Sequence, residues 1–281
     1  MRIRNPMQLK DLIKKEAKAK KLTAQLVMQN YMLERLLERI SLSQYRSNFI
    51  LKGGFLIAAI VGLDTRATMD LDTTIKGLAL TEESLRAIFE EIGSIPVDDD
   101  VSFEIVSLTE IREGDVYPGL RVGLKAKYPP LDVPLSVDVT TDDKITPREV
   151  AYTFRLMFDD RTINILAYNL ETVLAEKIET VLSRSIANTR PRDFYDIYIL
   201  YTLRRGECNL SVLKEALANT TERRGSQHIL QEHETILDAI QSSDTLQGFW
   251  NKYQQEFNYA QGIAFGDTLS CIREMIKGIY K

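Results

Sequence analysis

Histidine and cysteine are almost missing from this chain: its 281 residues include two of each, His228, His233, Cys208 and Cys271. Two cysteines provide neither a disulfide framework nor paired metal-ligand spacing. The histidines lie five apart in a polar helical stretch, a spacing that puts them on different helix faces. Histidine-based catalysis and a histidine-rich zinc site are therefore disfavoured. No apolar run approaches the ~18 residues that a membrane span needs. The opening segment "MRIRNPMQLKDLIKKEAKAKK" is charged and lacks the apolar centre of a secretory signal. Charge of one sign is not in excess either. Lys and Arg number 36 against 40 Asp and Glu, and a net charge of -4 argues against a uniformly basic nucleic-acid binder while leaving room for a local patch. These absences describe a cytoplasmic, soluble protein without a membrane partner. A hydrophobic content of 44% suits one large domain or two modest ones.

The first forty residues read as helical. Met7–Lys21 is lysine-rich, and Thr23 is placed to cap a second helix with Leu26, Val27, Tyr31, Leu33 and Leu37 on its apolar face. Eight Lys or Arg fall within the first 21 residues, against Asp11 and Glu16. A solvated helix face explains them, and docking to a phosphate backbone is the sharper alternative. Thr81–Gly93 has the period of an amphipathic helix with Leu85, Ile88, Phe89 and Ile92 inward. The runs "SFEIVSL", "LRVGLKAKY", "PLSVDVTT" and "INILAY" read as strands bounded by Pro, Gly and Asp. From Asn169 onward the pattern is helical, in five or six segments. The expected class is α+β: a mixed sheet with flanking helices over residues 1–166, then a helical domain over 167–281 that completes a cleft.

Three stretches carry candidate chemistry. In "LKGGFLIAAIVG" the pair Gly53-Gly54 stands at a strand-to-helix turn, where bare backbone can approach a phosphate and the helix N-terminus adds N–H groups. Gly-Gly also occurs in ordinary turns. In "RATMDLD" the carboxylates of Asp70 and Asp72 project from one strand face while Leu71 points into a core. Paired carboxylates repel unless a cation lies between them, and oxygen ligands suit Mg²⁺; a solvated strand face is the plain alternative. Asp138 in "LSVDVTT" shares a polar face with Ser136 and Thr140, opposite Val137 and Val139. Were that strand to lie beside Asp70 and Asp72, three carboxylates would meet, the ligand set of a two-metal phosphoryl-transfer centre.

Two further stretches are helical. In "LAEKIETVLSR" Lys177 falls within an apolar stripe, where it either snorkels to solvent or faces an anion. In "RPRDFYDIY" Pro191 suits a first helical turn, and Asp193 and Asp196 sit at i,i+3. Acids in a first turn also stabilise the helix dipole.

Together "LKGG", "RATMDLD", "LAEKIETVLSR" and "RPRDFYDIY" resemble the AbiEii family of nucleotidyltransferase toxins, from type IV toxin–antitoxin and abortive-infection systems, to which the MenT toxins are related. The similarity runs from the N-terminal helices through "DIYILY" and thins over the last sixty residues. It implies a polymerase-β-like nucleotidyltransferase fold and Mg²⁺-dependent transfer of a nucleotide from NTP to an RNA acceptor, the tRNA 3′ end. That modification would block translation as part of phage defence, alongside a cognate antitoxin. Asp70 and Asp72 would hold the metal with Asp138. Asp138 would help activate the incoming hydroxyl, and Lys177 would contact the triphosphate. Asp193 would be the last-motif acid, with Asp196 as its competitor, and Arg66 a phosphate contact beside Gly53 and Gly54. Related toxins carry Thr where this chain has Phe55, so phosphate contact at that turn must come from backbone N–H groups. The alternatives are transfer to a small molecule or a protein, and a non-catalytic NTP- or RNA-binding protein of the same fold.

Overall fold

The computed structural model describes residue 3, residues 5–111 and residues 119–280. The chain divides into two compact units, Met1–Asp143 with Val150–Ala167, and Lys144–Glu149 with Tyr168–Lys281.

The first unit is built on seven strands: β1 (Phe49–Lys52), β2 (Asp70–Ile75), β3 (Ser102–Ile111), β4 (Gly119–Tyr128), β5 (Leu131–Thr141), β6 (Val150–Arg155) and β7 (Thr162–Ala167). Their order is β3-β4-β5-β2-β1-β7-β6. Pairs β1–β7 and β2–β5 are parallel and the other four antiparallel, so the sheet is mixed. Strand β5 alternates as its sequence requires, with Val133, Leu135, Val137 and Val139 buried on one face. Strand β6 had no counterpart among the expected strands. It is an edge strand whose residues are mostly exposed, and Phe154 is its buried anchor.

Four helices complete this unit: α1 (Pro6–Lys20), α2 (Ala24–Leu42), α3 (Gly53–Val61) and α4 (Glu82–Ser94). Thr23 caps α2 by accepting from the Leu26 N–H, and Thr81 caps α4 in a capping box with Ser84. Helix α2 departs from a simple amphipathic reading. Its expected apolar face is inward, yet Glu34, Arg35, Glu38 and Arg39 are buried as well. Arg39 grips Asp99 through two bonds of 2.8 Å and donates to the Val101 carbonyl at 2.7 Å. Arg35 pairs with Glu34 and Glu38, Glu38 takes Arg161 at 2.6 Å, and Glu34 accepts the Met157 N–H at 2.7 Å. The helix thus ties the α4–β3 junction and the β6–β7 turn to one strut.

The second unit is helical: α5 (Leu170–Arg184), α6 (Pro191–Arg204), α7 (Leu210–Arg224), α8 (Ile229–Gln241), α9 (Asp244–Glu256) and α10 (Phe265–Ile279). Helix α5 is its axis, and Phe194, Tyr195, Trp250, Tyr253 and Phe265 form an aromatic core around α6, α9 and α10. His228 is exposed, and His233 holds the Leu230 carbonyl through Nδ1 at 2.9 Å. Among the described residues no helix is long and apolar enough to cross a membrane.

Candidate active site

Strand register assembles one row of charge across the first unit. Lys52 of β1 pairs with Asp72 of β2, Asp72 with Asp138 of β5, and Asp138 with Arg121 of β4. Register partners share a sheet face, so the row reads cation, acid, acid, cation. Asp70 lies on the same face two residues from Asp72, paired with Ser136. The expected adjacency of Asp138 to the acidic pair is present, because β5 runs beside β2.

Each member of the row has its own setting. Asp70 is exposed and Asp72 half-buried. Asp72 Oδ2 accepts the Gly54 N–H at 3.2 Å, a charge-assisted bond at the first turn of α3. Gly53 has φ +63°, and a Cβ there would stand 2.1 Å from Asp72 Oδ2. Only glycine lets the backbone pass this close to the carboxylate. A Cβ on Gly54 would meet Arg66 Nη2 and Thr68 Oγ1, each at 3.0 Å. Arg66 is itself buried, and its Nη1 donates to the Ala67 carbonyl. Its guanidinium therefore backs the glycine turn.

Asp138 is not a bare third carboxylate. Arg121 Nε reaches its Oδ1 at 2.7 Å and Arg121 Nη2 its Oδ2 at 2.8 Å. These bonds, with the charges of Asp138, Asp70 and Asp72, hold the Arg121 guanidinium above its ordinary range. Lys52 is 6% exposed, donates to Thr140 Oγ1 at 2.6 Å and pairs with Asp143, whose carboxylate also takes the Thr140 hydroxyl at 2.9 Å. Lys52 and Arg121 were not among the expected residues. A two-residue hairpin about Pro129-Pro130 pairs Tyr128 with Leu131, and counting back along it reaches Arg121 opposite Asp138. The signal for Arg121 was therefore present in the spacing of two predicted strands.

Phe55 resolves the departure at the glycine turn. It is buried, stacks on Phe154 at 5.8 Å, and helps line a cavity of about 460 Å³ shared with Glu34, Leu63 and Met157. Its ring belongs to the core behind α3.

A divalent cation fits the carboxylate face in a limited way. Among the described residues no three Asp, Glu, His or Cys side chains gather closely enough to hold a metal unaided. Mg²⁺ commonly takes one or two carboxylates and completes its shell with water and substrate phosphates, and Asp70 and Asp72 supply that number. Ser136 Oγ, opposite Asp70, is buried without a hydrogen-bond partner, a spare oxygen at the same spot.

In the second unit Lys177 of α5 meets α6. Its Nζ lies 2.6 Å from Asp193 Oδ1 and 2.9 Å from Asp196 Oδ2, and Arg190 Nε lies 3.2 Å from Asp193 Oδ2. The aspartates are 1% and 0% exposed. Pro191 opens α6, so the i,i+3 spacing turns both acids onto the lysine.

Comparison with known proteins follows the same lines. The model of the nucleotidyl transferase AbiEii toxin family, type IV toxin–antitoxin system, matches residues 35–270. No curated protein sequence matches significantly. JHP933 from Helicobacter pylori has a similar fold: TM-score 0.52 at 13% identity, over 92% of this chain and 95% of that one. A second H. pylori structure, assigned by inference as a nucleotidyltransferase, gives a TM-score of 0.51 at 12% identity, over 92% of this chain and 98% of that one. The chain belongs to the AbiEii nucleotidyltransferase toxin family and is a nucleotidyltransferase of a type IV toxin–antitoxin system.

Proposed function

We propose that this AbiEii-family enzyme transfers a nucleotide from NTP to the 3′ end of an RNA, a tRNA in the first instance, with Mg²⁺ held by Asp70 and Asp72. The observation that carries the reading is the row Lys52–Asp72–Asp138–Arg121 beside a glycine turn that admits no side chain. A bound Mg²⁺ would neutralise charge on the reacting phosphates and help align them. The chain's own residues do the rest. Gly53 and Gly54 keep the backbone low over the carboxylates, and the α3 N-terminus favours an anion there. For Lys177 the family resemblance implies a triphosphate contact, a role in keeping with the dominance of positioning and electrostatics in phosphoryl transfer. Asp193 and Asp196 are both engaged by Lys177 and deeply buried, which supports positioning of that ammonium as their role. Asp138, in register with Asp72, is the candidate third ligand or proton acceptor.

A nucleic-acid acceptor is supported by α1. Lys10, Lys14, Lys15, Lys18 and Lys21 are exposed, and among the described residues none of them forms an ion pair. Arg2 and Arg4 lie outside the described residues. Lys10, Lys14 and Lys18 follow at i,i+4, about 6 Å apart along the axis, a row that suits successive phosphates. Lys20, at the end of the same helix, lies 3.6 Å from Asp64 in the segment between α3 and β2.

Incubation with each of the four α-³²P-labelled NTPs and separate pools of tRNA, protein and aminoglycoside tests the reading. Label should enter the tRNA pool in the presence of Mg²⁺ and should be lost in Asp70→Asn and Asp72→Asn proteins of unchanged circular dichroism. Label in protein or antibiotic alone replaces the acceptor, and label in no pool replaces the reaction.

A further inference from the structure

We infer that Arg121 is the resident counter-ion of the carboxylate face and that it changes partners on binding: Asp138 holds it in the free protein, the triphosphate of the nucleotide takes it over, and Asp138 is released next to Asp72. The inference rests on the assignment of this face to the nucleotide and gives Arg121, so far only a member of the charged row, a role of its own.

Geometry singles out Arg121. Of the two cations on the row, Lys52 is buried and fastened by Thr140 and Asp143. It is a fixed part of the sheet. The Arg121 side chain is 47% exposed, and among the described residues both of its side-chain hydrogen bonds go to one carboxylate that is itself 18% exposed. The pair is open to solvent on the arginine side, so a competing anion can reach the guanidinium and exchange with Asp138. The guanidinium fork suits carboxylate and phosphate alike, and a triphosphate offers it more negative charge than one carboxylate. While the pair persists, the planar fork bonds both oxygens of Asp138 and its positive charge opposes a second cation there. Asp138 stands in register with Asp72, and withdrawal of the fork exposes a third carboxylate beside the first two. A nucleotide would thereby add a third acid to the two that face its metal. The free protein is spared three uncompensated acids on one sheet face, which would repel one another.

Two base-independent probes separate this exchange from a merely structural role: Mn²⁺ alone, followed by electron paramagnetic resonance of the free ion, and inorganic tripolyphosphate alone, followed by calorimetry. Arg121→Gln should bind Mn²⁺ at least fivefold more tightly than wild type and tripolyphosphate at least tenfold more weakly. Lost packing would weaken both, so the opposite signs are diagnostic. Arg121→Lys keeps the charge and removes the fork, and its tripolyphosphate affinity should fall at least threefold. Wild-type tripolyphosphate affinity in Arg121→Lys would reduce Arg121 to a diffuse charge and overturn the exchange, as would unchanged or weakened Mn²⁺ binding in Arg121→Gln. Asp72→Asn should weaken Mn²⁺ at least tenfold. Unaltered Mn²⁺ binding there would instead remove the metal reading on which the inference stands.

Discussion

Lys177 shows how one side chain can be set by its neighbours and in turn set a site. Apolar residues of α5 carry it to the α5–α6 contact, and two aspartates one turn apart receive it. Removing one partner of a buried ion pair leaves the other charge uncompensated, at a cost of about 3–5 kcal/mol. Arg190 remains beside Asp193, so Lys177→Met should lower unfolding free energy by the low end of that range, about 3 kcal/mol, in urea titration, and adding Asp193→Asn and Asp196→Asn should restore most of it. Equal stability of Lys177→Met and wild type would mean that the aspartates are compensated elsewhere. The position of Lys177 was legible, because a lysine inside an apolar stripe needs a partner and "RDFYD" follows. The pairing of Arg121 with Asp138 was not drawn from the sequence. Each residue looks ordinary in its own strand, and only the hairpin joins them.

At the scale of elements, α2 and β5 differ in how openly they advertise their packing. Strand β5 writes its two faces in strict alternation, valines one way and Asp138 the other. Helix α2 shows its apolar stripe equally plainly but hides a second buried face made of charge. The partners of Glu34, Arg35, Glu38 and Arg39 lie partly on the same helix and partly at Asp99, Met157 and Arg161, far along the chain. No local pattern predicts such a network. Burial pushes the Glu34 carboxyl up to about 7 despite the opposing charge of Arg35. At low pH the folded and unfolded chains both keep this proton. As pH rises past the ordinary glutamate range, the unfolded chain releases it while the folded chain retains it, so stability falls. The loss is complete above about pH 7 and amounts to roughly 3 kcal/mol. In melting curves between pH 4.5 and 8, Glu34→Gln should gain on wild type as pH rises. A constant gap between the two would show that Glu34 ionises as easily folded as unfolded. Strand β6 was illegible for a plainer reason: an exposed edge strand has little apolar signal, and "VAYTFR" buries Phe154 alone among its residues.

For the molecule as a whole, the mixed sheet is what turns scattered letters into a site. Parallel pairing of β2 with β5 puts Asp72 against Asp138, and antiparallel pairing of β1 with β2 puts Lys52 against Asp72. The acidic pair, the glycine turn and the family were readable in four short motifs, whereas the cations that flank the acids emerged from strand order. Membership of a toxin family makes growth a readout for the role proposed for the carboxylate face. The direct measurement is growth after induction of wild type, Asp70→Asn and Asp72→Asn from the same promoter, with soluble yield and circular dichroism matched. Wild type should arrest the culture, and both variants should leave it growing at the uninduced rate. Arrest of equal depth by either folded variant would contradict the assignment of the activity to these carboxylates.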